Sequence, residues 1–212
     1  RITARSNQTI FKLPGFEGNI DRHWPDAVPA EQLGGEEGFR RLVDTVHRLG
    51  AKLIPHLNVW GASFGNPRTQ ALLKHQIHDQ QDRPSTWSYD IDQDEIAEEI
   101  MAYISPDTKA WRKVQQENIR GLVARGVDAI YLDQTGTFIN DRRHDHFRGL
   151  QTLYRELSEA FPTTQFAGEA PMHEITAGLV SLVCGSSTVR TPRLAEMFRL
   201  LFFPYVRQYG YN

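Results

Sequence analysis

Gly126-Val127-Asp128-Ala129-Ile130-Tyr131-Leu132-Asp133 runs from a glycine through an apolar core into a carboxylate. Upstream, Ser105-Pro106-Asp107 predicts a helix start, and Trp111, Val114, Asn118, Ile119, Leu122 and Val123 recur at helical spacing on one face. Gly126 ends that helix, where a positive φ is cheap, and residues 127–133 predict a short buried strand. The same order recurs on both sides. Before it, residues 36–49 predict a helix with Phe39, Leu42, Val43, Val46 and Leu49 inward, then Gly50, then a strand over residues 51–58. After it, residues 145–160 predict a helix carrying Phe147, Leu150, Leu153, Tyr154 and Leu157, then Phe161-Pro162, then a strand over residues 164–169.

Strands alternating with amphipathic helices predict a parallel sheet covered by helices. A doubly wound sheet and a barrel both satisfy that pattern. No strand runs into G-x-G-x-x-G, the phosphate turn of dinucleotide folds, so the barrel is favoured. A complete (β/α)8 TIM barrel takes about 250 residues. Residues 1–212 therefore read as part of one catalytic barrel domain, cut at both ends and covering four to five of eight units.

Of the 212 residues, 40% are hydrophobic and 24% charged, enough apolar material for a core. Net charge is −2, which gives no electrostatic reason to bind nucleic acid or an anionic membrane. No apolar run reaches the ~18 residues of a membrane span; residues 200–206 are too few and contain Pro204. The single Cys184 excludes an internal disulfide framework and reads as a small buried residue. The chain opens at Arg1 without a signal segment and reads as a fragment, so the address of its parent stays open. Asn7-Gln8-Thr9 fits a glycosylation sequon, a triplet common by chance.

At the C-terminal ends of parallel barrel strands, side chains point into the site. Three predicted strands end in Asn58, Asp133 and Glu169, with the two carboxylates 36 positions apart, about one strand-helix-strand unit. Strands about 4.8 Å apart bring such carboxyl groups to ~5–6 Å, the separation of a nucleophile and an acid/base in retaining glycosidases. A single acid at a strand end often caps the following helix. Two, each after a buried run, favour use over capping, because burying a charge is costly.

His56, Asn58 and Trp60 alternate, so they are expected to line one surface of the cleft: hydrogen-bonding groups beside an aromatic that stacks on a sugar ring. Trp24 and Asp26, in the loop before the first helix, are placed with the substrate as well. Residues 60–105 predict a long connection carrying Trp87 and Tyr89, of a length usually reserved for function or disorder. Within it, Asp92-Gln93-Asp94-Glu95 with Glu98 and Glu99 reads as a solvated helix start in preference to a calcium loop. His144-Asp145-His146 lacks a third metal ligand at sensible spacing and reads as an exposed helix N-terminus. The aromatics Phe198, Phe202, Phe203 and Tyr205 read as core. No cofactor and no metal is expected.

Trp24-Pro25-Asp26, residues 33–39 and Pro55-His56-Leu57-Asn58 resemble retaining glycoside hydrolases of the endo-α-N-acetylgalactosaminidase type, their barrel relatives and, more distantly, the α-amylase superfamily. The likeness spans about residues 20–175. It implies that Asp133, ending the Gly-x-Asp-x-hydrophobic-x-x-Asp strand, is the nucleophile and that Glu169, after Gly168, is the acid/base. It also implies that Gln134, His56 and Asn58 contact a carbohydrate substrate. Tyr131 stands where α-amylases carry an arginine, which separates the chain from the α-amylases proper.

The leading expectation is hydrolysis of an α-linked glycosidic bond with retention. Two alternatives compete with it. An enolase-like Mg²⁺ barrel enzyme needs a lysine or histidine base, and the predicted strands offer Lys52 at a strand start. A non-catalytic carbohydrate-binding barrel would leave both acids merely paired.

Overall fold

The computed structural model describes residues 9–18, 23–90, 93–97, 99–135, 139, 141–169, 182–184 and 207–209. Its centre is a six-stranded parallel sheet in the order β1 (Ile10–Leu13), β2 (Lys52–Asn58), β6 (Ala129–Asp133), β7 (Gln165–Glu169), β8 (Leu182–Cys184), β9 (Arg207–Tyr209). Each strand pairs with the next in parallel register, as a barrel wall requires. Six strands exceed the four to five units expected, because β8 and β9 are three-residue segments with too little pattern to be read locally.

Helices α1 (Gly35–Arg48), α3 (Lys109–Ala124) and α4 (His146–Ala160) cover one side of the sheet. Alternation sorts each strand. Leu53, Leu57, Ile130, Leu132 and Phe166 join Phe39, Val43, Val46, Ile119, Leu122, Leu150 and Leu153 in the main core. Ile54, Ala129, Tyr131 and Ala167, with Ile10 against them, form a second cluster on the opposite, inner face. Full burial of one such large side chain is worth about 1.5–3 kcal/mol, so the helix-facing stripes dominate the stability. Four of the residues expected on those stripes are exposed: Leu49 at 73%, Phe147 at 46%, and Leu42 and Val123 at 36% each.

The start of α3 is four residues later than the sequence suggests. The Ser105 hydroxyl accepts the Asp107 N–H and the Ser105 carbonyl accepts that of Thr108, so Ser105-Pro106-Asp107 is a turn. Gly149 of α4 lies directly on this turn: a Cβ there would come within 2.3 Å of the Asp107 nitrogen.

The connection expected over residues 60–105 is folded. It carries a three-stranded antiparallel sheet, ordered β3 (Gly61–Ser63), β5 (Glu99–Tyr103), β4 (Thr86–Tyr89), and a short helix α2 (Thr69–Leu72). Short strands between polar turns give little periodic signal, which is why the stretch reads as a loop. Its acidic run is not a helix start: the Asp90 carboxylate accepts the N–H groups of Asp94 and Glu95 in the β4–β5 turn. Among the described residues no helix is long and apolar enough to cross a membrane. Asn7 and Gln8 of the sequon, Asp92, Glu98, the Cys184 side chain and the aromatics Phe198, Phe202, Phe203 and Tyr205 lie outside the described residues.

Candidate active site

The inner face of the sheet gathers polar residues at the C-terminal ends of its strands. His56 pairs in register with Tyr131, and Asn58 with Asp133. Leu132 pairs with Gly168, so Asp133 and Glu169 follow at the next position of neighbouring strands. Inner-face alternation then places His56, Asn58, Tyr131, Asp133 and Glu169 together.

Glu169 is fixed against the residue that follows Asp133. Its Oε2 accepts the Gln134 backbone N–H at 2.9 Å. Thr135 locks the same junction: its hydroxyl donates to the Glu169 carbonyl at 2.7 Å and accepts the Glu169 N–H at 3.0 Å. Gln134 holds this position with φ +56°, a left-handed conformation that non-glycine residues rarely adopt. Its carbonyl accepts the Trp60 indole N–H at 2.9 Å. A left-handed residue directly after Asp133 is thus bonded on one side to the Glu169 carboxylate and on the other to Trp60.

His56 is buried at 3% exposure, stacks on Tyr131 with ring centroids 5.4 Å apart, and brings Nε2 to 4.0 Å from Asp133 Oδ2. Asn58 Oδ1 accepts the N–H groups of Trp60 and Gly61, both at 2.8 Å, which fixes the amide orientation. Its Nδ2, buried beside Asp133 in register, has no hydrogen-bond partner among the described residues.

Trp60 is not a cleft-lining platform. The alternation that would align it with His56 and Asn58 stops at Asn58, where the side-chain turn redirects the chain. The ring is fully buried and rests on His146, centroids 5.7 Å apart. Trp24 is likewise buried, at 1% exposure. Asp26 accepts from Asn66 Nδ2 at 2.8 Å and pairs with Arg68. Asn118 of α3 donates to the Pro25 carbonyl. Residues 24–26 therefore anchor a loop, a use that residue type alone does not distinguish from sugar contact.

Two site neighbours come from elements the sequence reading left aside. Lys12 of β1 places Nζ 3.6 Å from the centre of the Tyr131 ring, so the inner face carries a cation although the position two residues before Asp133 does not. Tyr103 of β5 reaches the site from the antiparallel sheet. Burial pushes its phenol above the ordinary value, the nearby Gln134 side chain pulls it back, and the charge of Asp133 adds to the rise. Trp87 packs on Tyr103 at 4.2 Å, over Gly61, where a Cβ would come within 2.5 Å of the indole. Lys12 is recoverable from the two-residue alternation of β1; Tyr103 depends on a non-local pairing.

The opposite end of β6 is built differently. Asp128 Oδ1 accepts from Lys52 Nζ at 2.6 Å, and Oδ2 lies 2.9 Å from both the Leu53 N–H and His47 Nε2. Burial alone would raise its pKa, but these bonds outweigh it and hold the carboxyl below its ordinary value. Lys52 is thus engaged far from Asp133, and the base that an enolase-like site would take from it is not at the cleft. At the start of α4, Asp145 caps the helix by accepting the Arg148 N–H, while His146 is buried at 6% exposure and is not part of an exposed N-terminus. Asp141 stands beside His144, a third ligand-type side chain that the sequence reading did not supply.

A family described as a domain of unknown function (DUF6259) matches residues 16–158, a span that contains Asp133 and ends before Glu169. No curated protein matches the sequence. Among solved structures, an α-N-acetylgalactosaminidase from Bifidobacterium bifidum superposes with TM-score 0.64 at 15% identity, over 82% of this chain and 29% of that one. An α-galactosidase from Thermus thermophilus, in complex with p-nitrophenyl α-D-galactopyranoside, gives 0.63 at 12% identity over 82% and 34%. An α-amylase from H. orenii gives 0.57 at 16% over 83% and 42%. The chain thus spans well under half the length of each. What they share with it is the barrel-like fold of glycoside hydrolases.

Proposed function

The chain belongs to the DUF6259 family, and we propose that its barrel face hydrolyses an α-linked glycosidic bond with retention of configuration. One observation carries the reading: Glu169 Oε2 binds the backbone N–H of Gln134, the residue after Asp133. Two acids are thereby held on neighbouring strands, about 4.8 Å apart at the backbone, on the same inner face. Retaining enzymes work with carboxyl groups about 5–5.5 Å apart, whereas inversion needs about 6.5–9.5 Å to admit a water between them.

Asp133 attacks the anomeric carbon while Glu169 protonates the departing oxygen. Glu169 then takes a proton from water, which displaces the sugar from Asp133. His56 and Lys12 bring positive or hydrogen-bonding character to the nucleophile's face, and the buried Asn58 holds the turn that follows β2. Gln134 and Tyr103 border the same opening. Trp60, Trp24 and Asp26 shape the loops around it. The α-linkage and a galactose-type sugar are supported by the names of the similar enzymes.

The test uses the full-length protein and aryl α-galactoside and α-N-acetylgalactosaminide substrates. Asp133→Ala should abolish turnover, and added azide should restore it as a β-glycosyl azide. Glu169→Ala with azide should give the α-azide. A wild-type first product of inverted configuration by proton NMR would refute the retaining mechanism. Unimpaired turnover in Asp133→Ala would refute the assignment of the nucleophile.

A further inference from the structure

Asp141, His144 and His146 lie in the segment between β6 and α4, and their ligand atoms all fall within 4.8 Å of one another. His144 Nδ1 is 2.9 Å and His146 Nε2 is 3.9 Å from Asp141 Oδ2. A tetrahedral ion with bonds of about 2.0–2.1 Å spaces its ligands by about 3.3 Å, between these two values. The Asp141 side chain is fully buried, and that of His146 is 5% exposed.

Neither ring nitrogen of His146 has a hydrogen-bond partner among the described residues. A buried imidazole whose nitrogens are both unmet is costly unless something else occupies them. Its Nε2 faces a carboxylate oxygen slightly too far away for a direct bond, as expected where a third atom belongs between them. We propose that Asp141, His144 and His146 bind a divalent transition-metal ion of the zinc type. Two imidazoles and one carboxylate suit zinc; calcium and magnesium prefer oxygen-only sites.

The neighbours are compatible. The backbone N–H of Arg143 donates to Asp141 Oδ1 at 2.7 Å, and its guanidinium Nε is 3.6 Å from the same oxygen, leaving Oδ2 toward the histidines. The His78 N–H donates to Oδ2 at 3.1 Å and orients it, as outer partners of metal ligands do. Without metal, His144 Nδ1–H donates to Oδ2; on binding, its proton moves to Nε2 and Nδ1 turns to the ion. Water fills the remaining position. Because His146 supports Trp60, and Trp60 holds the Gln134 carbonyl, the ion would fasten the segment after β6 to the turn behind the site.

The full-length protein, stripped with EDTA and titrated with zinc chloride by calorimetry, should bind one zinc ion at this site, with a rise of several degrees in Tm. Magnesium and calcium at equal concentration should give neither. His144→Ala, partly exposed and expected to fold, should weaken zinc binding at least about 100-fold and lose the Tm rise. Asp141→Asn should do the same, its metal-free melt confirming a folded protein. Absence of saturable zinc binding, or binding and Tm unchanged in His144→Ala, overturns the site. Equal binding of magnesium overturns the assigned ion class. These readouts do not involve turnover, so the site stands or falls apart from the glycosidase reading.

Discussion

Strand β6 is bounded by two aspartates, and the two ends treat them in opposite ways. Asp128 at the N-terminal end is consumed by structure: a lysine, a histidine and a backbone N–H converge on its two oxygens. Asp133, about 16 Å further along the strand, faces the inner surface with His56 Nε2 at 4.0 Å and Glu169 anchored next door. Saturated bonding at one end fixes the strand in the sheet. At the other, backbone groups, the Gln134 N–H and carbonyl, hold Glu169 and Trp60 beside Asp133. Under the proposed function, the same side chain serves stability at one end of the strand and chemistry at the other.

Exchange of each aspartate for asparagine breaks that comparison most directly. Asp133→Asn should lower kcat on an aryl α-glycoside by on the order of 10⁴-fold or more, with the melting curve nearly unchanged. Glu169→Gln should cost about 10²–10⁴-fold, least for substrates with good leaving groups. Asp128→Asn should do the reverse: turnover of the folded protein within about threefold, but stability down by about 2 kcal/mol, since Lys52 and the Leu53 N–H lose a charged partner. If Asp128→Asn stopped turnover without lowering Tm, the division between the two ends would fail.

The pH dependence of stability sharpens the same contrast. The folded pKa of Asp128 lies below its ordinary value of 3.8, so its contribution is fully present above that pH. It is lost as pH falls from there through the folded pKa, where protonation breaks the Lys52 and His47 contacts. Denaturant midpoints for wild type should therefore fall more steeply below pH 4 than those for Asp128→Asn. Parallel slopes would mean that the Asp128 bonds do not survive in solution.

Much of this architecture is written locally. Gly50 and Gly126 punctuate helix ends, and the apolar runs to Asn58 and Asp133 mark strands, so β2, β6 and β7 and the placing of Asp133 and Glu169 at the ends of neighbouring strands follow from the chain. Trp60 shows where that reasoning stops: alternation holds only while the strand lasts, and the Asn58 side chain ends it. The antiparallel sheet between β2 and α3 gives little local signal because its short strands lie among polar turns, with no amphipathic helix between them to mark their ends. Tyr103 gains its meaning only from partners remote in sequence, whereas Asp141 joins His144 and His146 three and five residues on. Trp24 looks like a surface aromatic in a loop, yet burial, which no local pattern encodes there, decides its role.

The smallest effect tests the backbone's part at the Asp133 end. Gln134 holds φ +56°, and a non-glycine residue pays about 1 kcal/mol for that region. Gln134→Gly keeps the N–H that binds Glu169 and the carbonyl that binds Trp60, while it removes the strain and the side chain near Tyr103. Stability in denaturant should hold or rise by up to about 1 kcal/mol, and kcat should fall by less than about tenfold. Gln134→Val, with a branched Cβ in the same conformation, should lose about 1–2 kcal/mol and move the N–H off the carboxylate. If Gln134→Gly instead lost as much kcat as Glu169→Gln, the glutamine side chain would be acting on the substrate. The Asp133 end would then depend on side-chain contacts, as the Asp128 end does, and the contrast between them would narrow to one of exposure.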